Sequence, residues 1–242
     1  MIPLRADRPN GPVWVTRCLS GVLLLVYLWQ YFLGEAARSL VMTYGLIPAR
    51  LFSSTSWDLL GPSDQLMPLF SYLFLHDGWL HVLSNFWWLL IFGAGVESRI
   101  GSLRYLFFFT IAGVAAGLGH GLVHPEAVVP LIGASGSVSG IMGAYLYLAP
   151  RAGVDTILLP IPVKVRVHTW VFLALWMLLQ IAFALLALGR ETPLAFWAHL
   201  VGFGFGLASA WVSEGLFGRQ HSMEEHQPSP EGRSRLRREV SP

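Results

Sequence analysis

A hydroxyl, two imidazoles and an amide in this sequence have the chemistry of an acyl-transfer site. They are Ser135, His81, His199 and Asn85, and each sits in an apolar run. A serine hydroxyl is a weak nucleophile until a base takes its proton, and His199 is the candidate base. A carbonyl attacked by that serine becomes an oxyanion, which needs donors already in place. His81, Asn85 and the backbone N–H of Ser135 are the candidate donors. His81 and Asn85 are four residues apart, so on a helix they share a face. No Asp or Glu is available at their depth in these apolar runs to orient His199, so a Ser–His dyad is expected rather than a triad. A blander reading stands beside this one. Gly136 and Gly140 form a G-x-x-x-G, a common packing face, and a buried His or Asn can serve only as an interhelical hydrogen bond.

The elements that must carry these residues are membrane helices. Of 242 residues, 54% are hydrophobic and 12% charged, with a mean hydropathy of +0.56. Soluble domains carry about 25% charged residues. Six apolar segments, near 18–33, 79–95, 103–122, 131–149, 168–188 and 194–217, approach the roughly 20 residues needed to cross a bilayer. Backbone polar groups in lipid must be paired internally, so all six are read as helices. The expected fold is all-α, a polytopic six-transmembrane-helix bundle over 18–217. Residues 1–17 are expected to form a short, flexible cytoplasmic tail, and residues 218–242 a disordered cytoplasmic tail rich in Arg. Arg5, Arg8 and Arg17 before the first helix resemble a signal peptide's basic region, and with no clear cleavage site following, a retained signal anchor is expected. The connection of about 40 residues between the first two helices is rich in Leu, Phe, Trp and Tyr. It is expected to lie partly in the membrane interface. A Pro-rich, basic loop runs from Pro150 to Val167.

Charge orients the chain. With the N-terminus cytoplasmic, only Arg38, Arg50 and Arg190 of the 16 basic residues fall outside. The positive-inside rule favours this arrangement, with both termini inside. The second, fourth and sixth helices then start from the outer side. His81, Asn85, Ser135 and His199 then all fall within the first two or three turns of those helices, at a similar depth. Ionisable groups inside a membrane are costly, and four polar residues at one depth favour a functional reading over packing alone.

Other features bear on what the chain binds. A net charge of +2 is too small to indicate a nucleic-acid partner, and the single cysteine, Cys18, excludes an intrachain disulfide. His120 and His124, with Glu126 nearby, have a spacing that could hold a metal, but no H-E-x-x-H occurs and no metal or other cofactor is assigned. Glu97, Arg99 and Arg104 are expected to form an ion-pair or capping cluster at the inner end of the second and third helices.

The motifs together resemble those of the rhomboid intramembrane serine proteases. Gly133-Ala-Ser135-Gly136 is similar to the family's G-x-S-G, and Ala198-His199-Leu-Val-Gly202 to its A-H-x-x-G. His76-Asp-Gly-Trp-Leu-His81-Val-Leu-Ser-Asn85 is similar to H-x-x-x-x-H-x-x-x-N, and Glu97-Ser-Arg99-Ile-Gly101 to E-x-R-x-G. The resemblance spans residues 70–206 with the motifs in order. It implies that Ser135 is the nucleophile, His199 the base, and His81 and Asn85 oxyanion donors. It implies cleavage of transmembrane protein substrates within or near their membrane helices, in a lipid bilayer. Without a long Arg/Ser-rich presequence, a bacterial inner membrane is the expected location. Ser139 departs from the family, many of whose members carry an aromatic residue there against the histidine. Two other classes are weighed against the protease. A non-catalytic scaffold of the same fold typically lacks the serine or the histidine, and both are present. A transporter would be expected to show repeats around a midplane site, and no repeat is found.

Overall fold

The structure is a computed structural model, and it describes residues 2–8, 11, 13–158, 162–186 and 196–217. Its frame is helical. Helix α1 spans Trp14–Phe32, α2 Trp79–Ile100 and α3 Ser102–Val123. Helix α4 spans Ser135–Leu148, α5 Thr169–Leu186 and α6 Phe196–Phe217. All but α4 are long and apolar enough to cross a membrane. Their outer faces expose large apolar side chains, among them Leu25, Phe107, Leu178 and Trp211, as lipid contact requires.

Helix α4 is the hub. Every residue from Gly136 to Tyr145 is buried. The apolar segment read from the sequence as 131–149 is helical only from Ser135. Residues 131–134 instead form an entry loop, tied to the long first connection. Leu46 and Leu131 exchange backbone hydrogen bonds of 3.0 and 2.7 Å, and Gly133 N–H donates to Tyr72 C=O at 2.8 Å. With 14 residues α4 is about 21 Å long, short of the roughly 30 Å hydrocarbon core. The serine therefore sits at the first residue of α4 rather than one or more turns within it.

Lipid tails are as apolar as the side chains, so helices here associate by close packing. Glycines make that possible between α4 and α6. A Cβ on Gly202 would overlap the Gly136 carbonyl, and one on Gly206 the Gly140 carbonyl. This register puts Ser135, just before Gly136, beside the turn of α6 that carries His199. The long first connection is folded rather than loose. It contains short helices at Ala36–Tyr44, Pro48–Leu51, Ser54–Leu59, Pro62–Leu66 and Pro68–Ser71. Tyr72, buried in it, donates through its hydroxyl to Gly113 C=O on α3 at 2.7 Å.

Two expectations need correction. The N-terminal segment is not a free tail: Ile2–Ala6 form strand β1, and α1 begins at Trp14 rather than 18. The basic loop after α4 carries strands β2, Gly153–Leu158, and β3, Val163–His168. The three strands form an antiparallel sheet in the order β1-β2-β3, so the helical bundle carries a small β layer at the end away from Ser135. Alternation in Val163–His168 supplied a weak strand signal, whereas β1 contains Pro3 and pairs with a segment far along the chain. Asp7 seals the join. It accepts from Gly153 N–H at 2.9 Å and from Arg166 at 2.5 Å. The Gly153 hydrogen bond and the neighbouring guanidinium hold its carboxyl below the usual carboxylate value, against the opposing effect of desolvation.

Glu97 caps rather than pairs. Its buried carboxylate accepts from Val15 N–H at 2.9 Å and Thr16 N–H at 2.8 Å, which are orphan donors of the first turn of α1. Ser102 donates to it at 2.6 Å, and Arg99 reaches the Leu148 carbonyl at the end of α4. The expected tail at 218–242 lies outside the described residues.

Candidate active site

Three helix starts and one loop converge. Ser135 opens α4, His199 lies in the first turn of α6, and His81 and Asn85 occupy the first two turns of α2. Ser135 Oγ lies 2.9 Å from His199 Nε2, within hydrogen-bond reach. With Nε2 accepting from the hydroxyl, the imidazole proton resides on Nδ1. Nδ1 is 2.7 Å from Oε1 of Gln180, on α5.

Two residues before the serine stands Gly133, with φ at +111°. The volume that a Cβ would fill here faces two nitrogens. His81 Nε2 would lie 2.5 Å from that point and Asn85 Nδ2 3.5 Å. The free first-turn N–H groups of α4 and the positive end of its dipole point toward the same region. His81, Asn85 and the first turn of α4 thus offer possible donors around a space where a developing oxyanion could be held.

Each α2 donor is itself held. His81 Nδ1 lies 2.6 Å from Asp77 Oδ1, four residues earlier. That contact holds the ring with Nε2 turned toward the space beside Gly133. Asn85 Nδ2 lies 3.0 Å from Nε2 of the fully buried His76, whose Nδ1 contacts Phe74 C=O at 3.2 Å. Donation from His76 Nδ1 leaves its Nε2 free to accept from Asn85. The His76 backbone is clamped in both directions by Gln30 of α1, at 2.6 and 3.1 Å. The helical start of α2 carries on into a π-turn at Leu89–Gly93, a distortion often found near functional sites.

The structure thus brings together all four of the residues singled out in the sequence. Sequence reasoning passed over Gln180, Asp77 and the contact of His76 with Asn85. A signal for Gln180 was present: it is the one strongly polar side chain inside Thr169–Leu186, on an otherwise apolar helix. Asp77 could have been found four residues before His81. Ser139 does not touch the histidine, and its hydroxyl turns back to Ser135 C=O at 2.7 Å. Trp176 approaches His199 instead, with ring centroids 6.2 Å apart. His120 and His124 stack on each other at 5.3 Å, and among the described residues no group of three His, Cys, Asp or Glu could hold a metal.

The family model of the rhomboid domain matches residues 63–214, which include α2 to α6 up to that point and every residue just described except Gln30. The chain belongs to the rhomboid family. It is an integral membrane protein. Among curated relatives, the Bacillus subtilis (strain 168) protein YdcA is 26% identical over 125 residues, 52% of this chain and 58% of that protein. The rhomboid protease GluP of the same organism is 28% identical over 142 residues, 58% of this chain and 25% of GluP. RHOMBOID-like protein 5 of Arabidopsis thaliana is 32% identical over 78 residues, 32% of this chain and 25% of that protein. The chain therefore spans at most 58% of the length of these relatives.

Proposed function

We propose that this rhomboid is an intramembrane serine endopeptidase that cleaves transmembrane proteins within or near their membrane helices, with Ser135 as nucleophile and His199 as base. The observation that carries this reading is the 2.9 Å approach of Ser135 Oγ to His199 Nε2. Its membership of a family that includes the protease GluP supports the reaction class.

The steps follow from the geometry. As Ser135 Oγ bonds to the substrate carbonyl carbon, its proton passes to His199 Nε2. The carbonyl oxygen takes up negative charge in the space beside Gly133, where His81, Asn85 and first-turn N–H groups of α4 donate to it. When the intermediate collapses, the peptide C–N bond breaks and His199 gives its proton to the leaving amine. An acyl-enzyme remains on Oγ. Water then attacks it, losing a proton to His199, and the reverse proton transfer frees Ser135. No metal or cofactor takes part in this scheme. The excess of basic residues on one side supports a cytoplasmic N-terminus, which puts the site toward the outer face, and the Bacillus subtilis relatives favour a bacterial inner membrane.

The test uses the purified protein in detergent with a panel of transmembrane substrates. Ser135→Ala and His199→Ala should each abolish cleavage, and the double variant should be no worse, because residues acting as one unit are strongly non-additive. A scaffold reading predicts no Ser135-dependent cleavage and no labelling of Ser135 by a fluorophosphonate. Unchanged proteolysis by a folded Ser135→Ala protein would also overturn the mechanism.

A further inference from the structure

Among the described residues, Gln180 is the polar side chain within hydrogen-bond reach of His199 Nδ1. We infer that it is the positioning residue for the histidine, so that the site works as a Ser135–His199–Gln180 relay rather than a bare dyad. The inference rests on the protease reading above for its kinetic consequences, while the tautomer it assigns to His199 does not depend on activity.

The argument begins with the cost of an amide in lipid. Helix α5 exposes Leu175, Leu178, Leu179 and Phe183, and a polar side chain on such a helix needs a partner. Gln180 finds it in His199 Nδ1 at 2.7 Å. The contact fixes a proton. A neutral imidazole carries one N–H, and a carbonyl oxygen at Nδ1 favours placing it there. Nε2 is then left as a lone pair facing Ser135 Oγ at 2.9 Å, as a general base requires. The opposite tautomer would set a lone pair against the Gln180 oxygen, losing that hydrogen bond, and would make Nε2 a donor to Oγ that cannot take its proton.

Helix α5 also fixes the ring's tilt. Trp176 stands one turn before Gln180, on the same face, and its ring lies 6.2 Å from His199. Nothing from α4 does this job, because Ser139 bonds back to Ser135 C=O. Gln180 touches neither substrate nor the reacting atoms. It acts through His199. Being neutral, it sets the tautomer but contributes no full charge to the imidazolium that forms when Ser135 loses its proton.

That last point makes the inference testable apart from structural support. Two variants, Gln180→Leu and Gln180→Glu, are compared with wild type in detergent. The measurements are cleavage kinetics across pH and ¹⁵N-histidine NMR of uniformly labelled protein, with His199→Ala assigning the signal. Gln180→Leu should lower kcat by roughly 10- to 100-fold with KM little changed, since the wrong tautomer becomes populated. Gln180→Glu should keep the orientation and move the acidic limb of the kcat/KM profile to higher pH, because a carboxylate stabilises the imidazolium. A purely structural contact would move neither the limb nor the kcat/KM split. The NMR should show His199 protonated at Nδ1 in wild type and in mixed tautomers in Gln180→Leu. If Gln180→Leu does not fold, Gln180→Glu alone decides.

An Nε2–H tautomer in wild type would overturn the inference. So would wild-type kcat in folded Gln180→Leu, or an acidic limb unmoved in Gln180→Glu. If wild type neither cleaves nor labels at Ser135, the protease reading fails, and the NMR tautomer still decides whether Gln180 positions the ring.

Discussion

Gly133 and His81 share one small volume: a β-carbon on Gly133 would lie 2.5 Å from His81 Nε2. The glycine is therefore required twice over. Its φ of +111° suits no other residue, and its missing side chain leaves open the space toward which His81 and Asn85 point.

Gly133→Ala should accordingly separate stability from activity. A non-glycine residue in such a conformation costs about 1–3 kcal/mol, a modest loss in thermal unfolding. Cleavage should suffer more, with kcat/KM lower by roughly 10²-fold or more, because a methyl group would occupy the oxyanion space. Parallel thermal unfolding and substrate cleavage in detergent measure both. A stable Gly133→Ala protein that cleaves at the wild-type rate would show that the oxyanion is not held there.

His76 should act on catalysis only through Asn85. Asn85→Ala removes a donor and should lower kcat/KM by roughly 10²–10³-fold. His76→Ala removes the acceptor that fixes the Asn85 amide at 3.0 Å and should cost less, about 10-fold. The double variant should match Asn85→Ala alone, since neighbours acting in one chain do not add. Multiplying effects in that cycle would mean that His76 works independently.

Asp7 should make the sheet sensitive to acid. Its carboxyl has a folded pKa below the ordinary value of 3.8, so its contribution to stability is complete above that value. It fades as pH falls through the lowered folded pKa. Asp7→Asn keeps the acceptor for Gly153 but loses the charge facing Arg166. The midpoint gap between wild type and Asp7→Asn should be present at pH 7 and shrink as pH drops below 3.8. A gap that stays constant down to pH 3 would show that Asp7 contributes shape rather than charge.

The chemistry of this site was legible because it uses costly residues in lipid. A serine between glycines and histidines in apolar runs stand out by type and spacing alone. What escaped notice was cheaper or more distant. Gln180 is neutral and belongs to no recurring spacing, so only its isolation on an apolar helix marks it. The start of α4 escaped because Leu131-Ile-Gly-Ala is as apolar as the helix that follows. Hydrogen bonds to Leu46 and Tyr72, not composition, keep that stretch out of the helix. Strand β1 was hidden because its pattern is short and its partner distant, and its proximity to the bundle depends on Trp87 donating to Pro3 C=O at 2.7 Å.

That distant pairing dictates an order of assembly. Ile2 C=O accepts from Thr156, 154 residues further along the chain. During synthesis the first strand is made before its neighbour exists, with the sequence of four helices between them. Only when β2 emerges can β1 dock, and Asp7 can then accept from Gly153 and Arg166. By that point Ser135 is already in place and His199 has yet to be made. On the proposed mechanism, the serine thus enters the membrane before its base has been made.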